Sequence, residues 1–327
     1  MKTVFAGFRH GHVFVLYEAV KAHPDFEIVG ACEPNAESRK TAEDKGVEFT
    51  YASYDELFVD SNAELVVVGD CYGNRGALVI EALKNGKHVI ADKPLCTKTE
   101  ELEEIERLSK EKGLTVSCMF TMRFERKINA VKSLIESGEL GEINNVYFGG
   151  QHPLQYGRRP NWYFEKGKHG GVINDIAIHG VDLVSYLLSD SVDKVNGARQ
   201  WNKYAQSEPE FLDSAQFMLT TQKGAGVIAD VSYSVPDGVE FDLPYYWQFN
   251  LWGTKGVISF ALNEKTSTYY VKGDKAPKIL VENELDTDYL TDFLRAVNGD
   301  KNAVLDSAQV FESTQSTLKI QSFADNN

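Results

Sequence analysis

Cysteine is scarce and scattered. Cys32, Cys71, Cys96 and Cys118 lie in separate segments with no CxxC pair, which argues against a zinc knuckle or a disulfide framework and suits buried thiols in a reducing cytoplasm. No apolar run approaches the ~20 residues that span a bilayer, so no membrane is expected. Met1 and Lys2 lead directly into the apolar run 3–6 without the pattern of a secretory leader, and a cytoplasmic protein is expected. There is no basic stripe either: 34 Lys and Arg face 48 Asp and Glu, and a net charge of -14 makes nucleic acid an unsuitable partner. Low-complexity linkers and internal repeats are missing as well. What remains is ordinary globular composition, 43% hydrophobic and 25% charged, and 327 residues leave room for two cores.

The first ~120 residues alternate short apolar runs with helical patterns, the signature of parallel strands joined by helical crossovers. TVFA (3–6), EIVGAC (27–32), ELVVV (64–68), HVIA (88–91) and TVSCM (115–119) read as strands, with helices expected over stretches such as 13–22, 38–45, 76–85 and 98–112. From about residue 143 the period changes to two, with strands expected at 143–149, 194–201, 215–221, 226–234, 256–262 and 268–271. In YYWQFNLWG the alternation would put Tyr245, Trp247, Phe249 and Leu251 on one buried face. The expected fold is α/β: a Rossmann doubly wound parallel sheet over 1–121, then an α+β domain over 122–327 with a large, mostly antiparallel open sheet. One face of that sheet needs cover, so a homo-dimer or homo-tetramer formed through it is expected.

Three stretches carry chemistry. GFRHGH follows the first strand and opens a helix, and Glu33 stands just past the second strand, the layout of a turn that meets a pyrophosphate and a carboxylate that meets a ribose. The glycine pattern is incomplete: Gly7 is present, but Arg9 and His12 stand where GxGxxG has its other glycines, and Gly11 is added. GKHVIADKPL puts Lys93 and Pro94 at the carboxyl end of a buried strand, where ligands of open α/β sheets bind. Finally, GGVINDIAIHGVDLVSYL reads as a helix that is apolar on almost every side, yet Asp175, His179, Asp182 and Tyr186 recur at steps of four, three and four and share one stripe. Buried charges need partners or a task. A satisfied core network and a metal site built from Asp175, His179 and Asp182, with His169, are open alternatives for that stripe.

The order of these stretches resembles the Gfo/Idh/MocA family of nicotinamide-dependent oxidoreductases acting on sugars and polyols. The resemblance extends over nearly the whole chain: NGKHVIADKPL (85–95), MRF (122–124), SGELGEI (137–143), GGVINDIAIHGVD (170–182), LWGTKGVISF (251–260) and LTDFLRAVNG (290–299). Asp92 replaces the usual Glu before Lys-Pro, and the loop GDCYGNRG (69–76) lacks the usual Thr-Pro and His.

The resemblance implies that Lys93, Asp175 and His179 are catalytic, with no catalytic metal. It implies an NAD site, with NADP as the variant, formed by Gly7, Phe8, Arg9, His10, Glu33, Asp70, Asn74, Asp92, Lys93 and Pro94. Substrate contacts are expected from Lys93, Arg123, His152, Tyr156, Trp162, Asp175 and His179. Hydride transfer from a secondary alcohol needs a base for the hydroxyl proton and positive charge where alkoxide develops, tasks suited to His179 and Lys93, with Asp175 orienting the imidazole or gripping a hydroxyl. Asp182 is expected to be structural. The same resemblance leaves two other activities open: an NAD-dependent glycosidase, and a sensor that binds the dinucleotide without turnover.

Overall fold

The computed structural model describes residues 1–60 and 62–326. They form two compact units, one comprising the described residues of 1–119, 167–170 and 288–314, the other 120–166, 171–287 and 315–326. In the first, the elements run β1 (Lys2–Ala6), α1 (His12–Ala22), β2 (Glu27–Cys32), α2 (Ala36–Glu43), α3 (Tyr54–Asp60), β3 (Leu65–Val68), α4 (Tyr72–Lys84), β4 (His88–Ala91), α5 (Thr99–Lys112) and β5 (Val116–Cys118). The strands are short and β-branched, and the interiors of β1, β3 and β4 are buried on both faces, as a parallel sheet between helices requires. Among the described residues the order is β2-β1-β3-β4-β5, all parallel, so the direction of winding reverses between β1 and β3. That reversal opens a crevice at the carboxyl ends of those two strands. The four cysteines are free and buried.

In the second unit the elements are α6 (Arg126–Glu136), β6 (Ile143–Pro153), α7 (Ile178–Leu188), β7 (Val192–Trp201), β8 (Ser214–Thr221), β9 (Gly226–Val235), β10 (Gln248–Gly253), β11 (Gly256–Ala261), β12 (Thr268–Val271) and β13 (Lys278–Ile279). Among the described residues they make an eight-stranded sheet of order β13-β12-β11-β10-β6-β9-β8-β7. Every pairing is antiparallel except that of β6 with β9. Phe217, Ala229, Phe148, Phe249 and Phe260 sit opposite one another across five strands and are all buried, with Phe249 and Phe260 stacked at 5.1 Å. The next row, Met218, Ile228, Tyr147, Asn250 and Ser259, faces the other way, with Met218 and Ile228 half exposed. Two further helices, α8 (Tyr289–Val297) and α9 (Ser307–Asp325), end the element order. No helix among the described residues is long and apolar enough to cross a membrane.

Two expectations need correction. The strand read from Tyr245 begins only at Gln248, because Trp247 adopts φ +50° and breaks the pleat. Trp247, Phe249 and Leu251 are buried, whereas Tyr245 leaves their face and is 57% exposed. The stretch 170–187 is not one regular α-helix: residues Ile173–Ala177 form a π-helical turn that runs into α7. Such turns alter the angular step between successive side chains and recur at functional sites.

Helix α7 lies close on the inner face of the sheet because Gly180 has no side chain: a Cβ there would stand 2.2 Å from the Phe148 ring. Gly180→Val is therefore expected to cost about 1–3 kcal/mol of stability, the usual penalty for overpacking. Urea unfolding measures this directly, and an unchanged midpoint would mean that the helix can move off the sheet freely.

Candidate active site

In the first unit the chemistry lies along the carboxyl edge of the parallel sheet. Gly7 ends β1 at φ +90°, and its amide donates to the Cys32 carbonyl (2.9 Å). A Cβ there would come within 2.7 Å of the Asp70 backbone, so the ends of β1 and β3 approach as closely as they do only because residue 7 is glycine. Glu33, buried at the end of β2, accepts from the amides of Phe8 (2.6 Å) and Asn35 (2.8 Å). Burial raises its carboxyl above the ordinary range, against the pull of those two donors. Asp70 accepts from the Tyr54 hydroxyl (2.7 Å), the Cys71 amide (2.6 Å) and Asn74 Nδ2 (3.3 Å). Lys168 donates to Asn74 Oδ1 at 3.0 Å, and the neighbouring His169 ring lies 5.5 Å from Tyr72.

Asp92, Lys93 and Pro94 follow β4, with a cis bond between Lys93 and Pro94. Asp92 is fully buried and meets His10 Nδ1 (2.6 Å), His12 Nδ1 (3.2 Å) and Arg75 Nη2 (2.8 Å). Burial alone would raise its carboxyl, but Arg75 and then His10 outweigh it and hold it well below the usual carboxylate range. His10 is pushed down to about 3, chiefly by burial and despite Asp92, so it is neutral near pH 7. The ring of Phe8, by contrast, belongs to the core, packed on Phe5, Phe14, Tyr17 and Phe49; only its backbone serves the turn.

These residues fit a dinucleotide. Helix α1 opens at Gly11 with no side-chain cap and no acidic residue in its first turn, and a Cβ at Gly11 would meet nothing within 4 Å. An anion can approach such a helix end. Glu33 lies at the end of the adjacent strand, where a ribose-binding carboxylate belongs.

In the second unit Asp175 sits in the π-helical turn, buried, and Tyr233 of β9 donates its hydroxyl to Asp175 Oδ2. His179, one turn later, is also buried and lies edge-on to Trp247 with ring centres 5.8 Å apart. His152 stands 5.7 Å from the same Trp247 and shares a 3.2 Å hydrogen bond with the Tyr246 hydroxyl. The Tyr246 hydroxyl is pushed up to about 12, first by burial and further by the charge of Asp175.

Other residues read from the sequence as substrate contacts have different surroundings. Arg123 is buried with its guanidinium on both oxygens of Asp182 (2.9 and 2.8 Å) and over the Tyr186 ring (4.9 Å). Trp162 lies in the core against Tyr163, and Tyr156 bonds Ser207 (2.8 Å) and Glu208 (2.7 Å). Of the metal set considered for the stripe, Asp182 is taken by Arg123, and the His169 ring lies against Tyr72. Sequence reasoning missed Arg75, Tyr72, Tyr233, Tyr246 and Trp247. Only Arg75, the one charge in the first two turns of the helix YGNRGALVIEALK, carried a readable signal.

Residues 1–120 match the oxidoreductase family with an NAD-binding Rossmann fold, and residues 128–259 match the GFO/IDH/MocA C-terminal domain. The chain belongs to the Gfo/Idh/MocA family. Its amino-terminal unit is the NAD-binding Rossmann domain of that family. Among curated relatives, the myo-inositol 2-dehydrogenase of Thermotoga maritima is 26% identical over 74% of this chain and 70% of its own. The scyllo-inositol 2-dehydrogenase (NAD(+)) of Bacillus subtilis is 25% identical over 67% of this chain, but the match spans only 63% of that enzyme. An Agrobacterium radiobacter oxidoreductase, solved with NAD+, L-tartaric acid and magnesium, shares the fold at a TM-score of 0.82, with 20% identity over 100% of this chain and 96% of that one.

The neutral, buried His10 has a consequence for this Gfo/Idh/MocA member. Its pKa in the folded chain lies below the unfolded value, so the unfolded chain takes up the proton first, and stability is lost as pH falls from about 6.5 toward 3. In His10→Asn that loss disappears, so the stability difference between wild type and variant should narrow as pH drops from about 7 to about 5. Urea midpoints at the two pH values measure it, and a constant gap would contradict a neutral His10.

Proposed function

We propose that the protein is an NAD-dependent dehydrogenase acting on a secondary alcohol of a neutral sugar, inositol-like polyol or derivative. The observation that carries this reading is the succession of a buried carboxylate, Asp175, held by Tyr233, and the buried imidazole of His179 one helical turn later, which lies against Trp247. The inositol substrates of the two curated relatives support it. So do the commitments of three arginines of the same unit: Arg123 to Asp182, Arg158 to Glu240 (2.6 Å) and Arg159 to the carbonyls of Leu154 (2.9 Å) and Pro153 (3.1 Å). A neutral ring needs hydroxyl partners and an aromatic face, which His152, Tyr246 and Phe241 supply.

When bound, the nicotinamide supplies the hydride acceptor for the substrate carbon. His179 takes the hydroxyl proton as the C–H bond breaks, and Lys93 stabilises the charge that develops on that oxygen. Asp175, fixed by Tyr233, orients the imidazole or grips a neighbouring hydroxyl. Glu33 accepts from the adenosine ribose and would repel a 2′-phosphate, which favours NAD over NADP. A screen of neutral polyols with NAD, following reduced nicotinamide by absorbance, tests the activity. On a substrate so found, His179→Ala and Lys93→Met are each expected to lower kcat by roughly 10²–10⁴, and in His179→Ala calorimetric NAD affinity is expected to hold. Wild-type turnover in the alanine variant would overturn the assignment.

We further read the protein as a cytoplasmic homo-oligomer assembled through the outer face of its large sheet, where Met218, Ile228, Trp252, Tyr270 and Ile279 are exposed. Ile228→Glu combined with Met218→Glu is expected to shift the mass measured by light scattering to that of a single chain. A wild-type protein that already runs as a monomer would refute this.

A further inference from the structure

Three departures from the family pattern fall together in the first unit. His12 stands where the nucleotide turn would have its last glycine, Arg75 belongs to the loop without the usual Thr-Pro and His, and Asp92 replaces Glu ahead of Lys93. In the fold all three side chains meet at the Asp92 carboxylate, to which Arg75 and His12 both turn. The guanidinium also donates to the carbonyls of Asp70 (2.8 Å), Lys93 and Pro94 (3.3 Å). It therefore ties the Asp92 side chain and the backbone carbonyls of Lys93 and Pro94 to the end of β3.

His10 extends this cluster. Being neutral, it has one ring proton, and the 2.6 Å contact from Nδ1 to Asp92 places that proton there. Nε2 is left to accept from the Tyr72 hydroxyl at 3.1 Å. The Tyr72 ring lies 5.7 Å from Lys93 Nζ and 4.6 Å from the Arg75 guanidinium, presenting itself to two cations at once.

We infer that the series Asp92–His10–Tyr72 positions the Lys93 ammonium, that Arg75 anchors the series at its base, and that the three departures form one compensated set. The inference rests on the dehydrogenase reading, in which Lys93 is the cation at the reacting oxygen. Tyr72 and His10 are positioning residues: they act through Lys93. The same geometry argues against a metal at His10, His12 and Asp92, although their donor atoms lie within 4.8 Å of one another. Arg75 already meets that carboxylate at 2.8 Å and would stand beside any divalent ion.

The test uses Tyr72→Phe, which keeps the ring and removes the hydroxyl, His10→Asn, and their combination. On a substrate the wild type oxidises, each single variant should lower kcat about 3- to 10-fold, the effect of one lost hydrogen bond, and Tyr72→Phe should do so with calorimetric NAD affinity unchanged. The double variant should lose no more than the worse single, because both cut the same link. Independently of turnover, the rate at which acetic anhydride acetylates Lys93 in the cofactor-free protein, read by peptide mass spectrometry, should rise several-fold in Tyr72→Phe at an unchanged melting temperature. Losses that multiply in the double variant, or an unchanged labelling rate, would overturn the inference. Zinc binding to the wild type at micromolar concentration that His10→Asn abolishes would overturn it in favour of a metal site. If the wild type oxidises no polyol, the dehydrogenase reading fails on its own, and the labelling rate still decides whether Tyr72 positions Lys93.

Discussion

A guanidinium withdrawn from water must find its partners within the protein, and that of Arg75 finds them at the carboxyl edge of the parallel sheet. It reaches the carbonyl of Asp70 after β3, those of Lys93 and Pro94 after β4, and the carboxylate of Asp92. The ion pair is fully buried on both sides, so removing either member would strand the other charge, a far larger penalty than losing a surface pair. Around this pair the rest of the edge is ordered. Gly7 brings β1 against Asp70, Glu33 gathers the amides of the turn, and His10 joins the turn to the strand that carries Lys93.

The second unit solves a different problem with similar means. An inward row of phenylalanines gives the sheet a flat apolar floor, and Gly180 lets α7 settle onto it. A polar stripe on such a helix would be costly without partners, and each member has one. Asp175 takes a hydroxyl from Tyr233, Asp182 takes a guanidinium from Arg123, and His179 packs against Trp247. The stripe thus divides: its far end is structural, and its near end holds the two groups suited to proton chemistry. The π-helical turn lies where that division begins, and Trp247, the strained residue at φ +50°, lies against His179.

Periodicity was enough to read the fold. Short apolar runs bounded by helical patterns correspond to β1 to β5 almost residue for residue, and period-two alternation marks the strands of the second sheet. It failed at Trp247 because a single positive φ in a non-glycine residue leaves no trace in hydrophobic pattern, and Tyr245 was assigned to the wrong face for that reason. The π turn escaped for the same cause, since a register change of one residue is invisible to a window that averages over several turns.

Local sequence by itself determined the groups that had to be explained: a glycine turn before a helix, a lysine at a strand end, and charges recurring on an apolar helix. Their proximity in sequence, or their common spacing, was a local property. Tertiary structure alone decided which of them share a partner. Asp92 and His10 are separated by 82 residues, Asp182 and Arg123 by 59, and Asp175 and Tyr233 by 58. Hydrogen bonds of 2.6–2.9 Å between such positions depend on how strands are ordered and helices seated, and short-range pattern holds no record of either.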